Sequence, residues 1–300
     1  MIGVLREQRP APARVAVDIG DDAAVRHDGV VVTVDTLVQG RHFRAEAPAE
    51  TVGFKTLAVS VSDVLSMGAR PEHAVLALSL PARQGPWLDG FAKGLAEACA
   101  HYDVDLIGGD TTGTDGPIVV SLTLLGRLWG TAWQRSGALP GDALLVTGEL
   151  GLAGAGWMSA IPSEAAVAAL QRPHPPVAFA RALAASGIPV HAAMDLSDGL
   201  ATDAPRMARA SGLALHIDPD ALPVHPSLRD DPQRLRYALC GGEDYQLLLA
   251  VAPHVVPQLH DVAAATDTRL TVIGSAAAGE GANVIGQAWP SGSYDHFGAS

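Results

Sequence analysis

The feature of this sequence that most constrains its fold is an alternation of short apolar runs with longer helical stretches. Apolar runs bounded by Gly, Pro, Asp or Ser are typical of strands, whereas longer stretches with apolar residues three and four apart are typical of helices. The predicted strands occupy residues 30–34, 74–80, 104–107, 118–125, 143–147, 192–194, 213–217, 245–251 and 270–273. The predicted helices occupy residues 48–67, 87–101, 164–170, 176–185, 200–210 and 255–265.

The order of these elements indicates a mixed architecture. Some predicted strands follow one another directly along the chain, as 104–107 and 118–125 do. This favours a mixed α/β or α+β fold over a strictly parallel, doubly wound sheet. The stretch 130–142 is rich in turn residues and has no apolar periodicity, so we place a domain boundary there. We predict an N-terminal domain over residues 1–137 and a C-terminal α/β domain over residues 138–300.

Charge and composition exclude several classes of function. The chain of 300 residues has a net charge of −12 and only two lysines, which argues against a basic surface for nucleic acid. Its two cysteines give no disulfide framework and are compatible with a reducing cytosol. The N-terminus carries charges where a signal peptide has its apolar segment, and charges interrupt the apolar runs before they reach membrane-spanning length. We therefore expect a cytoplasmic protein that binds neither nucleic acid nor membrane.

Acidic residues recur beside Gly, Ser or Thr at the expected ends of core elements. Asp35 follows the run Val-Val-Val-Thr-Val, Asp110 follows Leu-Ile-Gly-Gly, and Asp195 follows Ala-Ala-Met. Any one of these groups is adequately explained as a turn. As a set they indicate a ligand site, because ligands of layered α/β proteins bind at strand ends.

This set of acids predicts a site for hard divalent cations. Buried carboxylates without counter-charges are costly, and the chain has too few lysines to pair with them. Mg²⁺ prefers oxygen ligands and is usually held by a few carboxylates together with substrate phosphates. Asp63 lies opposite the apolar stripe of the helix predicted at 48–67, where it either faces solvent or points into a cleft. We therefore expect chemistry on a magnesium–nucleotide complex.

Other motifs for phosphates and metals are absent from the sequence. Neither Lys55 nor Lys93 lies in a G-x-x-x-x-G-K-[ST] motif, and the chain has no H-E-x-x-H and no C-x-x-C. The glycine-rich run 148–156 follows a strand and opens a helix, but its spacing differs from G-x-G-x-x-G. It either offers amides to a phosphate or allows close helix packing through small residues.

Taken in chain order, these motifs resemble the thiamine-monophosphate kinase family, which belongs to the superfamily of aminoimidazole ribonucleotide synthetase. The matching stretches span nearly the whole chain, and the final Tyr-Asp-His-Phe at 294–297 is especially distinctive. The others lie at residues 19–23 (Ile-Gly-Asp-Asp-Ala), 34–43 (Val-Asp-Thr-Leu-Val-Gln-Gly-Arg-His-Phe), 55–63, 67–69, 106–112 (Leu-Ile-Gly-Gly-Asp-Thr-Thr), 135–137, 195–200 (Asp-Leu-Ser-Asp-Gly-Leu) and 241–245 (Gly-Gly-Glu-Asp-Tyr).

The resemblance implies roles for individual residues. Several Mg²⁺ ions would be coordinated by Asp22, Thr33, the backbone carbonyl of Val34, Asp35, Asp63, Asp110, Asp195 and Asp198. ATP would be contacted by Tyr102, Gly109, Asp110, Arg135 and Ser197, and thiamine monophosphate by His42, Glu243 and Tyr294. The segment Arg172-Pro-His-Pro-Pro176 lacks the second Arg of the family's Arg-Pro-x-Pro-Arg, so we assign it no site role.

The resemblance also implies a fold, an assembly and a reaction. The fold is that of aminoimidazole ribonucleotide synthetase, with two α/β domains and a homodimer formed through the mixed sheets of the N-terminal domains. The reaction is direct in-line transfer from ATP to thiamine monophosphate, which gives ADP and thiamine diphosphate. We expect no general base, because the attacking phosphate oxygen is already ionised near pH 7. Two alternatives stay open: another ATP-dependent enzyme of the superfamily, and a non-catalytic nucleotide or metal sensor on the same fold.

The aromatic C-terminal motif yields a prediction about substrate choice. An aromatic ring stacks favourably on a cation such as a thiazolium, an interaction worth roughly 0.5–2 kcal/mol. We therefore expect that deleting residues 291–300 raises the KM for thiamine monophosphate much more than the KM for ATP. The measurement is steady-state kinetics of truncated and intact protein, with circular dichroism as the control for folding. If the two KM values stay unchanged, or rise together, Tyr294 does not belong to the site.

Overall fold

The computed structural model describes residues 12–81, 85–286 and 288–290, and it divides the chain into two compact units. The units are Met1–Ala132 and Trp133–Ser300, and each contains one six-stranded sheet with helices packed on it. The predicted mixed α/β class with two domains is confirmed. Among the described residues, no helix combines the length and the apolar character that crossing a bilayer requires.

The N-terminal unit is built on a sheet with the strand order β1-β2-β3-β6-β4-β5, in which only the β4–β5 pair is parallel. Its elements are β1 (Val15–Val17), β2 (Ala24–Arg26), β3 (Val30–Val38), α1 (Ala49–Ser66), β4 (Ala69–Leu80), α2 (Gly85–Tyr102), β5 (Asp105–Gly113) and β6 (Val119–Leu128). Both predicted helices of this unit are confirmed to within two residues. The short strands β1 and β2 were not predicted, because neither has a sustained apolar run.

Helix α1 is the central element of this unit. It packs against strands β3, β4 and β6 on one side and against α2 on another, so its residues are buried along most of its length. Even Lys55 is buried, and its Nζ donates a hydrogen bond to the carbonyl oxygen of His42 at 3.0 Å. The sequence pattern had left open whether Asp63 faces solvent. Its position on this enclosed helix shows that it does not lie on a fully solvated face.

The contact between α1 and α2 depends on two glycines. A Cβ atom at Gly53 would overlap the carbonyl oxygen of Phe91, and one at Gly94 would overlap the carbonyl oxygen of Glu50. Such close backbone approach tolerates no side chain larger than hydrogen. The two glycines therefore fix α2 against α1. Helix α1 carries several of the candidate site residues.

Two candidate site residues lie within strands, and the expectation that they lie at strand ends is wrong. Strand β3 continues to Val38 and strand β5 continues to Gly113, so Asp35 and Asp110 each have strand residues on both sides. Polar residues interrupt the apolar pattern in these segments, but the strands continue because β3 pairs with β6 and β5 pairs with β4. Cross-strand pairing thus overrides local composition here.

The C-terminal unit is built on a sheet with the strand order β12-β9-β11-β7-β10-β8, in which only the β9–β12 pair is parallel. Its elements are β7 (Ala143–Thr147), α3 (Leu152–Met158), α4 (Glu164–Gln171), α5 (Val177–Ser186), β8 (Ala192–Leu196), α6 (Leu200–Ser211), β9 (Ala214–Ile217), a 3-10 turn (Pro226–Leu228), α7 (Arg234–Cys240), β10 (Gln246–Val251), a second 3-10 turn (Pro253–Val255), α8 (Val256–Ala265), β11 (Leu270–Ala277) and β12 (Gly281–Val284). The predicted helices α4, α5, α6 and α8 are confirmed, whereas α7 and β12 were not predicted.

The central strands of this sheet are covered on both faces. Leu144 and Val146 of β7 belong to one apolar cluster with residues of α6 and α7, and the intervening Leu145 is equally buried. Every residue of β8 is buried as well, although β8 is the last strand of the sheet. Strands covered on both faces show continuous apolar runs rather than alternation, which is why β7, β8 and β10 were predictable from the sequence.

The helix contact of the N-terminal unit gives a stability prediction. Alanine has the higher helix propensity, yet we expect Gly94→Ala to lower the free energy of unfolding by about 1–3 kcal/mol, because the added methyl group overpacks the contact with Glu50. Gly85→Ala, in the same helix but with open space around it, is the matched control and should not destabilise. Urea unfolding of the two variants checks this. Equal stability of both variants would contradict the proposed packing.

Candidate active site

One group of candidate residues gathers in the N-terminal unit, where β3 runs alongside α1. Thr33 and Asp35 lie two residues apart on β3 and therefore point to the same face of the sheet. Thr33 Oγ1 donates a hydrogen bond to Asp63 Oδ2 at 2.5 Å, and Ser60 Oγ donates to Asp35 Oδ2 at 2.7 Å. Strand and helix are thus joined by two hydroxyl–carboxylate hydrogen bonds.

Asp22 joins this group from the loop between β1 and β2. Ser66 Oγ, in the last turn of α1, donates a hydrogen bond to Asp22 Oδ2 at 2.8 Å. One carboxylate oxygen of Asp22 and one of Asp63 lie within 4.8 Å of each other. Two oxygens that share one Mg²⁺ lie up to about 4.2 Å apart, since each bond is about 2.1 Å long. The donor set therefore fits a hard divalent cation after a small side-chain rotation.

The electrostatics of this group favour bound positive charge. Burial raises the pKa of Asp35 above its ordinary value, the hydrogen bond from Ser60 partly offsets this effect, and the negative charge of Asp22 raises the pKa further. A carboxylate in this position is more easily ionised when a cation lies beside it. The hydroxyl groups of Ser60, Ser66 and Thr33 orient the acids without neutralising them.

His42 is fixed in the turn that follows β3. Its Nδ1 accepts a hydrogen bond from the backbone N–H of Val38 at 3.0 Å, and its carbonyl oxygen accepts the one from Lys55. Because Nδ1 is an acceptor, the proton of the neutral ring resides on Nε2, which is therefore a donor. One hydrogen bond thus holds the side chain and the other the backbone of a residue that the resemblance assigned to substrate.

Tyr102, assigned to ATP from the sequence, ends helix α2. Its ring is buried, lies 5.8 Å from the ring of Phe54 and meets His101 edge-on at 4.7 Å. It is therefore part of an aromatic cluster that closes the end of the α1–α2 pair.

Asp110 is not brought into the Asp22–Asp63 group by this unit, and the role assigned to the backbone carbonyl of Val34 stays a prediction. The side chain of Val34 points to the other face of β3 and is 61% exposed. The cross-strand register runs from Thr36 through Ser121 and Ala77 to Asp110, so Asp110 shares the face of Thr36, opposite to Asp35. Three strand spacings of about 4.8 Å lie between β3 and β5, so Asp35 and Asp110 are about 14 Å apart. Gly109 lies beside Asp110 on the same exposed strand.

A second group of candidate residues gathers in the C-terminal unit, where two loops pack on each other. Asp195 lies at the buried end of β8, and the loop that follows contains Ser197 and Asp198. The backbone N–H of Glu243 donates to the carbonyl of Ser197 at 2.8 Å, and that of Tyr245 donates to the carbonyl of Leu196 at 2.9 Å. Residues 195–199 and 241–245 are therefore one structural unit.

The backbone of residues 241–245 is unusual. Glu243 and Tyr245 adopt left-handed conformations, with φ of 64° and 48°. Non-glycine residues with such angles are uncommon and cluster at functional sites. Gly242 is also left-handed, and a Cβ there would lie 2.6 Å from the carbonyl oxygen of Ser197. Close packing of the two loops therefore accounts for the glycine, and the conformation of Glu243 sets the direction of its carboxylate.

Arg135 is held along the free edge of β8. The carbonyl oxygen of Gln134 accepts a hydrogen bond from the N–H of Ala193 at 2.8 Å, and Ser211 Oγ at the end of α6 donates to the carbonyl of Arg135 at 3.1 Å. The segment therefore lies beside β8, the strand that contains Asp195. Tyr294 lies outside the described residues.

The expectation that the acids lack basic partners is wrong for Asp198. Arg206 Nη2 lies 2.7 Å from Asp198 Oδ2, and Arg206 Nη1 lies 2.7 Å from Asp203 Oδ1. The small number of lysines did not reveal this pairing, because the partner is an arginine. The spacing of Arg206, three residues after Asp203 on one helix, indicates the pair with Asp203, whereas the contact with Asp198 depends on the fold of the loop before the helix.

Comparison with known proteins identifies the family. The AIR synthase related protein N-terminal domain matches residues 20–128, and the AIR synthase related protein C-terminal domain matches residues 140–287. Thiamine-monophosphate kinase of Salmonella typhimurium is 38% identical to this chain, and the alignment covers 94% of this chain and 92% of that protein. The chain belongs to the thiamine-monophosphate kinase family.

Solved structures of this family share the fold. The crystal structure of thiamine-monophosphate kinase from Stenotrophomonas maltophilia K279a is 37% identical, with a TM-score of 0.80 over 95% of this chain and 96% of that one. The structure of AaThiL complexed with AMPPCP and TMP is 29% identical, with a TM-score of 0.85 over 99% of this chain and 96% of that one. The expected aminoimidazole ribonucleotide synthetase-like fold is confirmed.

In this family member the acid next to Glu243 has a structural role. Both carboxylate oxygens of Asp244 accept from the backbone N–H of Gly151, at 3.0 and 3.1 Å. Desolvation of the carboxyl group raises the pKa of Asp244 well above its ordinary value, the amide of Gly151 partly offsets this, and the charge of Glu243 adds to it. Asp244 thus ties the loop 241–245 to the start of α3.

The glycine-rich run 148–156 of this family member serves close packing. A Cβ at Gly154 would lie 2.6 Å from the Cα of Gly241, and one at Gly156 would overlap the carbonyl oxygen of Ala166. Helix α3 therefore packs directly on the backbone of α7 and α4. This observation favours the second of the two interpretations that the sequence allowed.

The buried carboxyl group of Asp244 gives a pH prediction. Because its pKa is raised in the folded protein, the native state binds more protons than the unfolded chain from about pH 4 upward, and stability falls as pH rises through that window. Asp244→Asn keeps an acceptor for the N–H of Gly151 and removes this fall in stability with pH. We expect the Tm of the variant minus the Tm of the wild type to become larger as the pH is raised from 4 to 7. The exposed Asp261→Asn is the control, and a difference independent of pH would contradict the assignment.

Proposed function

We propose that this chain is a thiamine-monophosphate kinase, which transfers the γ-phosphoryl group of ATP to thiamine monophosphate and releases ADP and thiamine diphosphate. The observation that carries the proposal is the match to AaThiL complexed with AMPPCP and TMP, which extends over 99% of this chain. AMPPCP is an analogue of ATP, so that protein binds both reactant types of this reaction. Identity of 38% to a named kinase over 94% of the chain supports the same conclusion.

The proposed chemistry needs charge neutralisation and positioning. The attacking oxygen belongs to a phosphate that is mostly dianionic near neutral pH, so no general base is required. Two unit charges 4 Å apart repel by roughly 1 kcal/mol in water and by several times more in a cleft of lower dielectric. Mg²⁺ supplies the opposing positive charge when it is bound. Asp22, Asp35 and Asp63 are the residues that would hold it in the N-terminal unit, with Thr33 as their neighbour.

The remaining assignments are those that the family resemblance implies. In the C-terminal unit, Asp195 and Asp198 would be cation ligands, while Ser197 and Arg135 would bind nucleotide phosphates. Gly109, Asp110 and Tyr102 would contribute to the nucleotide site from the N-terminal unit. His42, through Nε2–H, and Glu243 would contact thiamine monophosphate, and Tyr294 is assigned with them. The free thiols of Cys99 and Cys240 support a reducing, cytoplasmic setting for this reaction.

The direct test is incubation with [γ-³²P]ATP, Mg²⁺ and thiamine monophosphate, followed by chromatography of the products. We expect label in thiamine diphosphate, and Asp35→Asn should lower kcat at least about 100-fold because a cation ligand is lost. Asp89→Asn, which changes an exposed acid on α2, is the matched control and should leave kcat unchanged. Nucleotide binding without transfer by the wild type would favour a sensor, and label in another acceptor would favour a different enzyme.

We further propose a homodimer formed through the N-terminal sheets. Strand β5 is exposed along its whole length, and its Ile107 is 61% exposed, as is Val34 on β3. Large exposed apolar side chains on a sheet are typical of surfaces that bind a partner. Asp110 lies about 14 Å from Asp35 and on the opposite face of the sheet. A second chain that contributes Asp110 to the site of the first explains both observations.

Complementation between inactive variants tests this assembly. Asp35→Asn and Asp110→Asn should each be inactive as pure dimers. A heterodimer of the two contains one site with both acids intact if each site is built from two chains. A 1:1 mixture, after unfolding and refolding together, should therefore regain about one quarter of the wild-type activity. A mixture that stays inactive, or a monomeric mass by light scattering, would contradict the shared site.

A further inference from the structure

Three charged residues at the start of α6 form a closed arrangement. The guanidinium group of Arg206 lies between two carboxylates, with Nη2 at 2.7 Å from Asp198 Oδ2 and Nη1 at 2.7 Å from Asp203 Oδ1. Asp203 is fully buried, Asp198 is 17% exposed and Arg206 is 36% exposed. The arrangement thus extends from the interior of the C-terminal unit to its surface, and Asp198 lies on the surface side of the buried acid.

Asp203 also holds the backbone of the loop. Its Oδ2 accepts a hydrogen bond from the N–H of Asp198 at 3.1 Å, while its Oδ1 accepts from Arg206 at 2.7 Å. Asp198 is therefore fixed at two points, through its backbone by Asp203 and through its side chain by Arg206. Asp203 does not cap α6, because the N–H that it accepts belongs to Asp198, which precedes the first residue of the helix. The bond from Arg206 to the Asp198 side chain is an addition that capping does not explain.

This arrangement sets how Asp198 can meet a ligand. Oδ2 is occupied by Arg206, so the carboxylate presents Oδ1 in one orientation. Two carboxylates share one guanidinium, so the trio keeps a net charge of about −1 and Asp198 can still attract a cation. Arg rather than Lys is required, because only a planar fork of donors reaches both acids at once.

We propose that Arg206 and Asp203 are positioning residues, which hold the Asp198 carboxylate in the orientation that binds the cation–nucleotide complex. The proposal rests on the proposed function for the identity of that ligand. It does not require Arg206 to touch the nucleotide or thiamine monophosphate. Its consequence is that loss of the Arg206 fork weakens cation binding and turnover while the fold and the KM for thiamine monophosphate are retained.

Two variants separate this role from simple stabilisation. Arg206→Lys keeps the positive charge but cannot bridge the two acids. The double variant Arg206→Gln with Asp203→Asn removes both charges, so no unpaired charge is left buried, and the asparagine still accepts from the N–H of Asp198. Arg209→Gln, an exposed change on the same helix, is the matched control. Circular dichroism and Tm measurements confirm that each variant is folded.

The readouts are Mn²⁺ binding and steady-state kinetics. Mn²⁺ replaces Mg²⁺ as the probe, and electron paramagnetic resonance of free Mn²⁺ gives its Kd in the presence of AMPPCP. Partners that orient metal ligands typically contribute 10- to 100-fold to affinity or activity. We therefore expect the Mn²⁺ Kd of the double variant to rise about tenfold and kcat to fall about 10- to 100-fold, with Arg206→Lys intermediate and Arg209→Gln unchanged. The KM for thiamine monophosphate should change less than about twofold in every variant.

The outcomes distinguish this proposal from the proposed function. If the wild type transfers no phosphate but the double variant still loses Mn²⁺ affinity, the kinase assignment fails and the positioning role stands. If Mn²⁺ affinity and kcat match the wild type while only the Tm falls, Arg206 is a structural residue and the proposal is overturned. It is equally overturned if Mn²⁺ binds more tightly once Arg206 is removed, since Arg206 would then compete with the cation.

Discussion

The candidate site depends on hydrogen bonds in which a hydroxyl group donates to a carboxylate. Three such bonds, from Thr33, Ser60 and Ser66, join β3, α1 and the loop of Asp22. A hydrogen bond to a charged group contributes about 1.5–3 kcal/mol. These bonds therefore offset part of the cost of enclosing the acids, but they bring no positive charge. The Mg²⁺ of the proposed function would supply that charge.

The position of α1 follows from the same requirement. A helix that carries Ser60, Asp63 and Ser66 must lie against the strand that carries Thr33 and Asp35, at a separation of one hydrogen bond. The glycine contact with α2 holds it there, since Gly53 and Gly94 allow the two helix backbones to meet. In the C-terminal unit, Gly199 and Gly242 do the same for the two loops that contain Asp198 and Glu243. Backbone contact thus sets the side-chain geometry in each unit separately.

Much of this organisation was predictable from the sequence, and the exceptions share one physical cause. Helices and buried strands have local apolar patterns, so α1, α2, α6, β7 and β10 were predicted with nearly correct bounds. The acids were predicted as a set because their neighbours are small and polar. The extension of β5 through Asp110, the face on which Asp110 lies and the sheet order depend on pairing between distant segments. Single-sequence patterns do not contain that information.

The two units stabilise buried acids in different ways, and this difference affects how each would hold a cation. In the N-terminal unit hydroxyl groups of Thr33, Ser60 and Ser66 orient the carboxylates. In the C-terminal unit Arg206 supplies a positive charge between Asp198 and Asp203, because Asp203 is fully buried and would be too costly without a counter-charge. That charge also reduces the negative potential at Asp198. In the proposed positioning role, the fixed orientation that the Arg206 fork gives to the Asp198 carboxylate outweighs this reduction. In the proposed complex the nucleotide phosphates would satisfy part of the coordination of the cation, so the orientation of Asp198 would matter more than its charge.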